Sequence, residues 1–146
     1  MDMLGGGAIA AAELTDWRKL AQGLHARYLI DDFGAGVRFL ADPDGTRSAT
    51  LVGSRQLGVT FTDAFFIPSG VWDEPHSHIA DAHLVVAQGE LRLGYGNSLD
   101  RGFAARYPAG SFLYVPGNAV HFDGAEEDTI LLGTAVGPWS TDYLNS

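Results

Sequence analysis

The sequence contains no cysteine. Disulfides, thiolate nucleophiles and cysteine-ligated zinc are therefore excluded, so a metal site would have to use histidine, aspartate, glutamate, water or backbone ligands. Basic residues are also scarce, with nine Lys and Arg against eighteen Asp and Glu and a formal net charge of -9. Because no run of bases could follow a phosphate backbone or anionic lipids, we expect neither nucleic acid nor a membrane surface as a partner.

Long apolar runs are absent as well. The most apolar stretch near the N-terminus, "GGGAIAAAEL", is too short to span a bilayer, lacks a positively charged flank and is interrupted by Glu13. We therefore expect a cytoplasmic protein. With 146 residues, 46% hydrophobic and 18% charged, the chain has the size and composition of one globular domain. We assign residues 1–13 to a flexible N-terminal tail and residues 14–146 to a single domain.

The pattern of the chain predicts an all-β fold with one short N-terminal helix. Thr15 could cap that helix, which begins in "DWRKLAQGL" and has its apolar residues on one face. Beyond it, short segments rich in β-branched and aromatic residues alternate with Gly, Pro, Asn and Asp. The nineteen glycines suit the tight turns between such segments. This organisation favours an antiparallel sandwich or barrel.

Three of the five histidines fall within eight residues, in "PHSHIADAH". His76 and His78 share one face of an extended strand, so together they could chelate a metal ion. His83 follows five positions later and would face the other way unless the chain bends at "IADA". His121, just after the turn "VPGN", could approach the pair across a barrel. The alternative for each histidine is an ordinary hydrogen-bonded polar residue.

Two gapped motifs resemble those of the cupin superfamily. "GVWDEPHSHIADAHLVVAQG", residues 70–89, resembles the first motif, G(X)5HXH(X)3–4E(X)6G, and "GSFLYVPGNAVHFDGA", residues 110–125, resembles the second, G(X)5PXG(X)2H(X)3N. A closer likeness is to small single-domain bacterial cupins of uncertain function that carry a histidine just after the Glu slot and contain "VGPW". The resemblance implies a jelly-roll barrel, also called a double-stranded β-helix, and commonly a homodimer.

The chain departs from these motifs at three positions. Counting back from Gly89, the usual metal-binding Glu falls on Ala82, so His83 either takes over its duty or is only a neighbour in the pocket. Asn118 replaces a glycine, a mild change because Asn tolerates left-handed backbone angles better than most residues. Ala125 replaces the terminal Asn of the second motif.

The resemblance implies a divalent transition metal held by His76, His78, His83 and His121. Neutral imidazoles suit iron, zinc, nickel, copper, cobalt or manganese better than magnesium or calcium, and they leave the ion strongly Lewis-acidic. The loss of the Glu ligand could also mean the loss of metal.

Candidate catalytic residues are weaker. Asp123 shares a face with His121 and could act as a base, but the sequence favours the alternative, a turn residue before Gly124. Tyr114 and Tyr95 are aromatic candidates for the pocket, with a core role as the alternative.

We interpret the protein as a small metal-dependent enzyme acting on a small organic molecule with a carbonyl, enol or carboxylate group. An isomerase, cyclase, lyase or dioxygenase would fit this description. The alternatives are a non-catalytic ligand-binding or sensing module and a cupin scaffold without metal.

Overall fold

The computed structural model describes residues 40–41 and 45–144, which form short strands joined by turns. In chain order the strands are β1 (Leu40–Ala41), β2 (Arg47–Val52), β3 (Thr60–Ile67), β4 (Trp72–Ser77), β5 (Ala82–Gln88), β6 (Glu90–Tyr95), β7 (Ala105–Pro108), β8 (Phe112–Val115), β9 (His121–Gly124), β10 (Thr129–Val136) and β11 (Asp142–Tyr143). The described residues contain no helix, which confirms the all-β prediction for this part of the chain.

The strands form two antiparallel sheets. One has the order β1-β2-β3-β10-β5-β8 and the other the order β11-β4-β9-β6-β7. From β3 to β10 the partners are nested, since β6 pairs with β7, β5 with β8, β4 with β9 and β3 with β10. A long hairpin folded over on itself in this way is a jelly roll, in which the inner faces of two sheets share one core.

Alternation along the strands decides which side chains enter that core. In β8, Leu113 and Val115 are buried while Phe112 and Tyr114 are exposed, as the period of two requires. The core cluster takes its members from both sheets: Ile67, Ala82, Val86, Leu91, Leu93, Leu113, Val115, Ala125 and Leu131. Ala125, at the position where the second motif has Asn, is therefore a core residue.

Asn118, in the turn before β9, has the left-handed backbone conformation that its place in the second motif predicts. Asn118 has a φ of 65°, in the left-handed region that glycine adopts without cost. Its backbone N–H donates to the carbonyl of His78 at 2.7 Å. The turn therefore ties the start of β9 to the segment after β4, and these two segments carry the histidines.

Some predictions lie outside the described residues. They include the tail at 1–13, the helix beginning near Thr15 and the domain boundary between them, all of which stay predictions. Strand β11 was not predicted, because two residues give no periodic signal. No helix in the described part of the chain is long and apolar enough to cross a bilayer.

Candidate metal centre

Three histidine rings meet between the two sheets. His76 lies in β4 and pairs directly with His121 of β9, while His78 lies just past the end of β4. The ring centroids are 4.4 Å apart for His76 and His121, 4.9 Å for His76 and His78, and 5.2 Å for His78 and His121. One ring nitrogen of each residue lies within 4.8 Å of the other two. The three rings can therefore converge on a single ion.

All three rings are held at Nδ1 by backbone carbonyls. His76 Nδ1 lies 2.6 Å from the carbonyl oxygen of Glu74, His78 Nδ1 lies 2.8 Å from that of Ser140, and His121 Nδ1 lies 3.0 Å from that of Ala119. A carbonyl only accepts, so each Nδ1 must carry the proton in these contacts. The lone pair is then on Nε2, and this is the tautomer and the second contact that metal-ligating histidines usually have.

Burial keeps two of these rings neutral. It lowers the pKa of His78 from 6.5 to about 4, with a smaller contribution from the neighbouring His76 and His121. Burial also lowers the pKa of His121, although the nearby Asp123 opposes the shift. A neutral imidazole is the form that ligates a metal, so both rings are prepared for that role at neutral pH.

Two carboxylates flank His76. Its Nε2 lies 3.7 Å from Oδ1 of Asp123, and its Nδ1 lies 3.6 Å from Oδ2 of Asp73. Asp73 also accepts a hydrogen bond of 2.7 Å from the Tyr143 hydroxyl. Asp73, His76 and Asp123 form a second group of potential metal ligands, which shares His76 with the group of three histidines. Asp123 thus lies in a strand beside the histidines, whereas Ala82, in the usual Glu slot, contributes only a methyl group to the same cavity.

A cavity of about 350 Å³ opens in front of the three histidines. Its wall is largely apolar on the side of the six-stranded sheet, where Phe65, Ile67, Ala82, Leu84, Val115 and Leu131 line it. The volume is at the lower end of the range for small-molecule sites, and an apolar wall with a few convergent polar groups is typical of such sites. The arrangement suits a small organic ligand.

Comparisons with known proteins identify the fold. No protein-family model matches the chain, and no curated protein matches it. Solved structures do match: the polyketide cyclase RemF from Streptomyces resistomycificus has a TM-score of 0.61 at 16% identity, over 75% of this chain and 80% of that one. An RmlC-like cupin from Shewanella frigidimarina has a TM-score of 0.57 at 17% identity, over 70% and 86% of the two chains. The described residues form a cupin fold.

A third structure agrees with this assignment. A cupin-like protein from Thermotoga maritima has a TM-score of 0.57 at 19% identity, over 73% of this chain and 78% of that one. The cupin resemblance predicted from the two motifs is confirmed at the level of the fold. These identities are too low to transfer an activity, because one fold carries many functions.

His83 does not join the other histidines in the cupin barrel, which corrects the prediction that it is a ligand. It is exposed, and its ring contacts those of Phe112 and Tyr114, each at a centroid distance of 5.7 Å. In β5 the inward positions belong to Ala82, which is buried, and Leu84, which lines the cavity, so His83 between them faces outward. The slot for the usual Glu therefore has no nearby replacement in β5.

The two tyrosine candidates also lie outside the cavity lining. Tyr114 is 52% exposed on the outer face with His83, and desolvation together with the neighbouring Asp81 raises its pKa. Tyr95 pairs with His121 across β6 and β9, but its ring centroid is 6.2 Å from that of His121. Burial raises the pKa of Tyr95 as well. Of the three predicted candidates, Asp123 is the one that lines the cavity.

Sequence reasoning missed several residues of this cupin cavity. Asp73 is three positions before His76, so simple alternation would put them on opposite faces, but a register shift in the pairing of β4 with β9 turns both inward. Trp139 and Tyr143 come from the far end of the chain, and their places depend on the packing of that segment against β4. The "VGPW" in the sequence was the one signal that pointed to this segment.

Proposed function

We propose that this cupin binds a divalent transition metal through His76, His78 and His121 and is a small metal-dependent enzyme. Its substrate would be a small organic molecule that carries a carbonyl, enol or carboxylate group. The observation that supports this most directly is the convergence of three imidazoles whose Nδ1 atoms all face backbone carbonyls. Histidines with a purely structural role would not all need to carry the proton on Nδ1 and leave the lone pair of Nε2 free.

The donor set favours iron, zinc, nickel, copper, cobalt or manganese over magnesium or calcium, because imidazole nitrogen suits the former ions. An ion held there would supply Lewis acidity toward an oxygen atom of the substrate. Ala82 leaves open the position from which a cupin Glu would approach. Asp123 Oδ1 lies 3.7 Å from His76 Nε2, which puts this carboxylate beside the proposed ion.

The chain's own polar groups have separate roles in this proposal. Asp123 would hold or accept a proton at its carboxylate beside the substrate, as a general base does. Tyr143 orients Asp73 through its hydrogen bond, and Asp73 in turn flanks His76. The apolar wall of the six-stranded sheet would exclude water from the ligand. Isomerase, cyclase, lyase or dioxygenase chemistry would fit, and one neighbour in fold is a polyketide cyclase.

Elemental analysis of protein purified without a polyhistidine tag tests the proposal. We expect close to one transition-metal ion per chain in the wild type and in His83→Ala, and less than about one-tenth of that in His121→Ala, because a three-ligand site does not survive the loss of one ligand. His83→Ala is the matched control, since it makes the same change outside the cavity. A wild type without metal, or a His121→Ala variant that retains it, would contradict the proposal. A homodimer and a cytoplasmic location stay predictions from the sequence.

A further inference from the structure

Arg55 is the one Lys or Arg among the described residues that line the cavity. It lies in the turn between β2 and β3 and donates from Nε and Nη2 to Oδ2 of Asp63, at 2.9 and 2.5 Å. The third guanidinium nitrogen, Nη1, has no hydrogen bond to any described residue. The side chain as a whole is 41% exposed and lines the cavity, so a ligand in the cavity can reach it. The contact to Asp63 fixes the plane in which it can donate.

Asp63 has an unusual position for a carboxylate. It is completely buried on the inner face of β3, where its neighbours at the same parity are Phe61, Phe65 and Ile67. Its Oδ1 has no hydrogen-bond partner among the described residues. Burying a charge at such a position costs desolvation free energy that an apolar residue would not incur. The visible effect of Asp63 is to hold the Arg55 guanidinium in one orientation.

A continuous row of rings joins Arg55 to the metal centre. The guanidinium carbon lies 5.9 Å from the Phe61 ring centroid, Phe61 meets Trp139 edge-on at 5.9 Å, and Trp139 stacks on His78 at 4.2 Å. The backbones of the two segments are also hydrogen-bonded, since the N–H of Gly58 donates to the carbonyl of Gly137 at 3.0 Å and the N–H of Gly137 donates to the carbonyl of Val59 at 2.9 Å. A Cβ on Gly137 would lie 2.1 Å from the carbonyl oxygen of Gln56. The Arg55 turn therefore packs against the segment of Gly137 and Trp139, which in turn contacts His78.

We propose that Arg55 binds a carboxylate group of the substrate and that Asp63 is the residue that positions it. The substrate class is then a small organic acid, whose carboxylate contacts Arg55 in the cavity that the histidines also line. This inference rests on the proposed function, because it assigns the substrate of the same cavity.

Binding of matched acids and amides tests the assignment. The probes are pyruvate with pyruvamide and phenylglyoxylate with phenylglyoxylamide, measured by calorimetry on cobalt-loaded and on chelator-treated protein. In the wild type we expect each acid to bind at least about tenfold more tightly than its amide, since only the acid forms a charge-assisted pair with the guanidinium. The double variant Arg55→Gln/Asp63→Asn removes both charges together, so it leaves no buried carboxylate unpaired and should fold.

The double variant should lose the preference for acids without losing metal. Arg55→Lys keeps a charge but not the planar fork, so we expect an intermediate preference. Arg47→Gln is the matched control, because Arg47 stacks on Phe66 outside the cavity lining and should have no effect. A preference that survives in the chelator-treated double variant, or its absence from the wild type in both metal states, would overturn the assignment. If the protein never holds metal but still prefers acids to amides in a way that depends on Arg55, the metal proposal is refuted and the Arg55 assignment stands.

Discussion

Trp139 lies stacked on the imidazole of His78, with ring centroids 4.2 Å apart and planes inclined by 21°. His78 follows the last residue of β4, so no strand partner fixes its ring. It is held instead by Trp139 and by the carbonyl of Ser140, which are neighbours in the chain. The segment after β10 therefore acts as the support for one of the three histidines.

Replacing that support should weaken the metal centre. We predict that Trp139→Ala lowers metal affinity about tenfold, in line with other residues that orient metal ligands, and reduces the free energy of unfolding by about 2–4 kcal/mol. Trp139→Phe should retain most of both properties. Trp72→Ala is the control, because that indole contacts the guanidinium groups of Arg92 and Arg101 and is not part of the cavity lining. Metal titration and urea denaturation measure the effects, and equal metal affinities for the two alanine variants would contradict the prediction.

Restoring a carboxylate at the motif position should tighten metal binding. Ala82 is buried and lines the cavity, so the side chain of Ala82→Glu would enter beside the histidines. We expect metal affinity to rise about tenfold because an anionic ligand is added. With a chelator present, the variant should be less stable than the wild type, since the new carboxylate is then buried without a partner. Val85→Glu, on the exposed face of β5, is the control and should change neither the metal affinity nor the stability of the metal-free protein. If Ala82→Glu were equally stable with and without metal, the new carboxylate would not lie beside the histidines.

The stability of metal-free protein should fall in mildly acidic solution. The folded pKa of His78 is about 4, below its ordinary value of 6.5, so between these values the unfolded chain binds a proton that the folded chain does not. The free energy of unfolding that comes from keeping His78 neutral is fully present above about pH 6.5 and declines as the pH falls toward 4. Burial of His121 acts in the same direction. Urea midpoints measured across this range should decline less in His78→Gln than in His83→Gln, and parallel curves for the two variants would contradict the assignment.

The left-handed residue in the turn before β9 gives a prediction on stability. Asn118→Ala should cost about 1 kcal/mol, because alanine adopts a φ near 65° with more strain than asparagine does. Asn118→Gly should be neutral or slightly stabilising, since glycine has no Cβ to strain. Both variants keep the backbone N–H that contacts the His78 carbonyl. Thermal unfolding checks the order, and an alanine variant as stable as the glycine variant would show that the turn relaxes to another conformation.

Local alternation was a good guide wherever a strand is regular. It correctly placed His76 with His78 on one face and Asp123 with His121. It failed where the chain leaves a regular strand. The register shift after Asp73 brings a carboxylate inward that alternation would place outside. Likewise, β4 and β5 belong to different sheets, so counting residues from His78 could not locate His83.

The sequence by itself determined the all-β fold, the two motifs and the candidacy of the three histidines that meet. It could do so because side-chain alternation and turn residues act over short distances along the chain. Only the tertiary structure decided that His83 faces outward and that Asp73, Tyr143, Trp139 and Arg55 surround the site. These residues come from separate segments whose approach depends on how the two sheets and their connecting turns pack. Such contacts are set by burial and by register across the barrel, and neither leaves a periodic signal in the sequence.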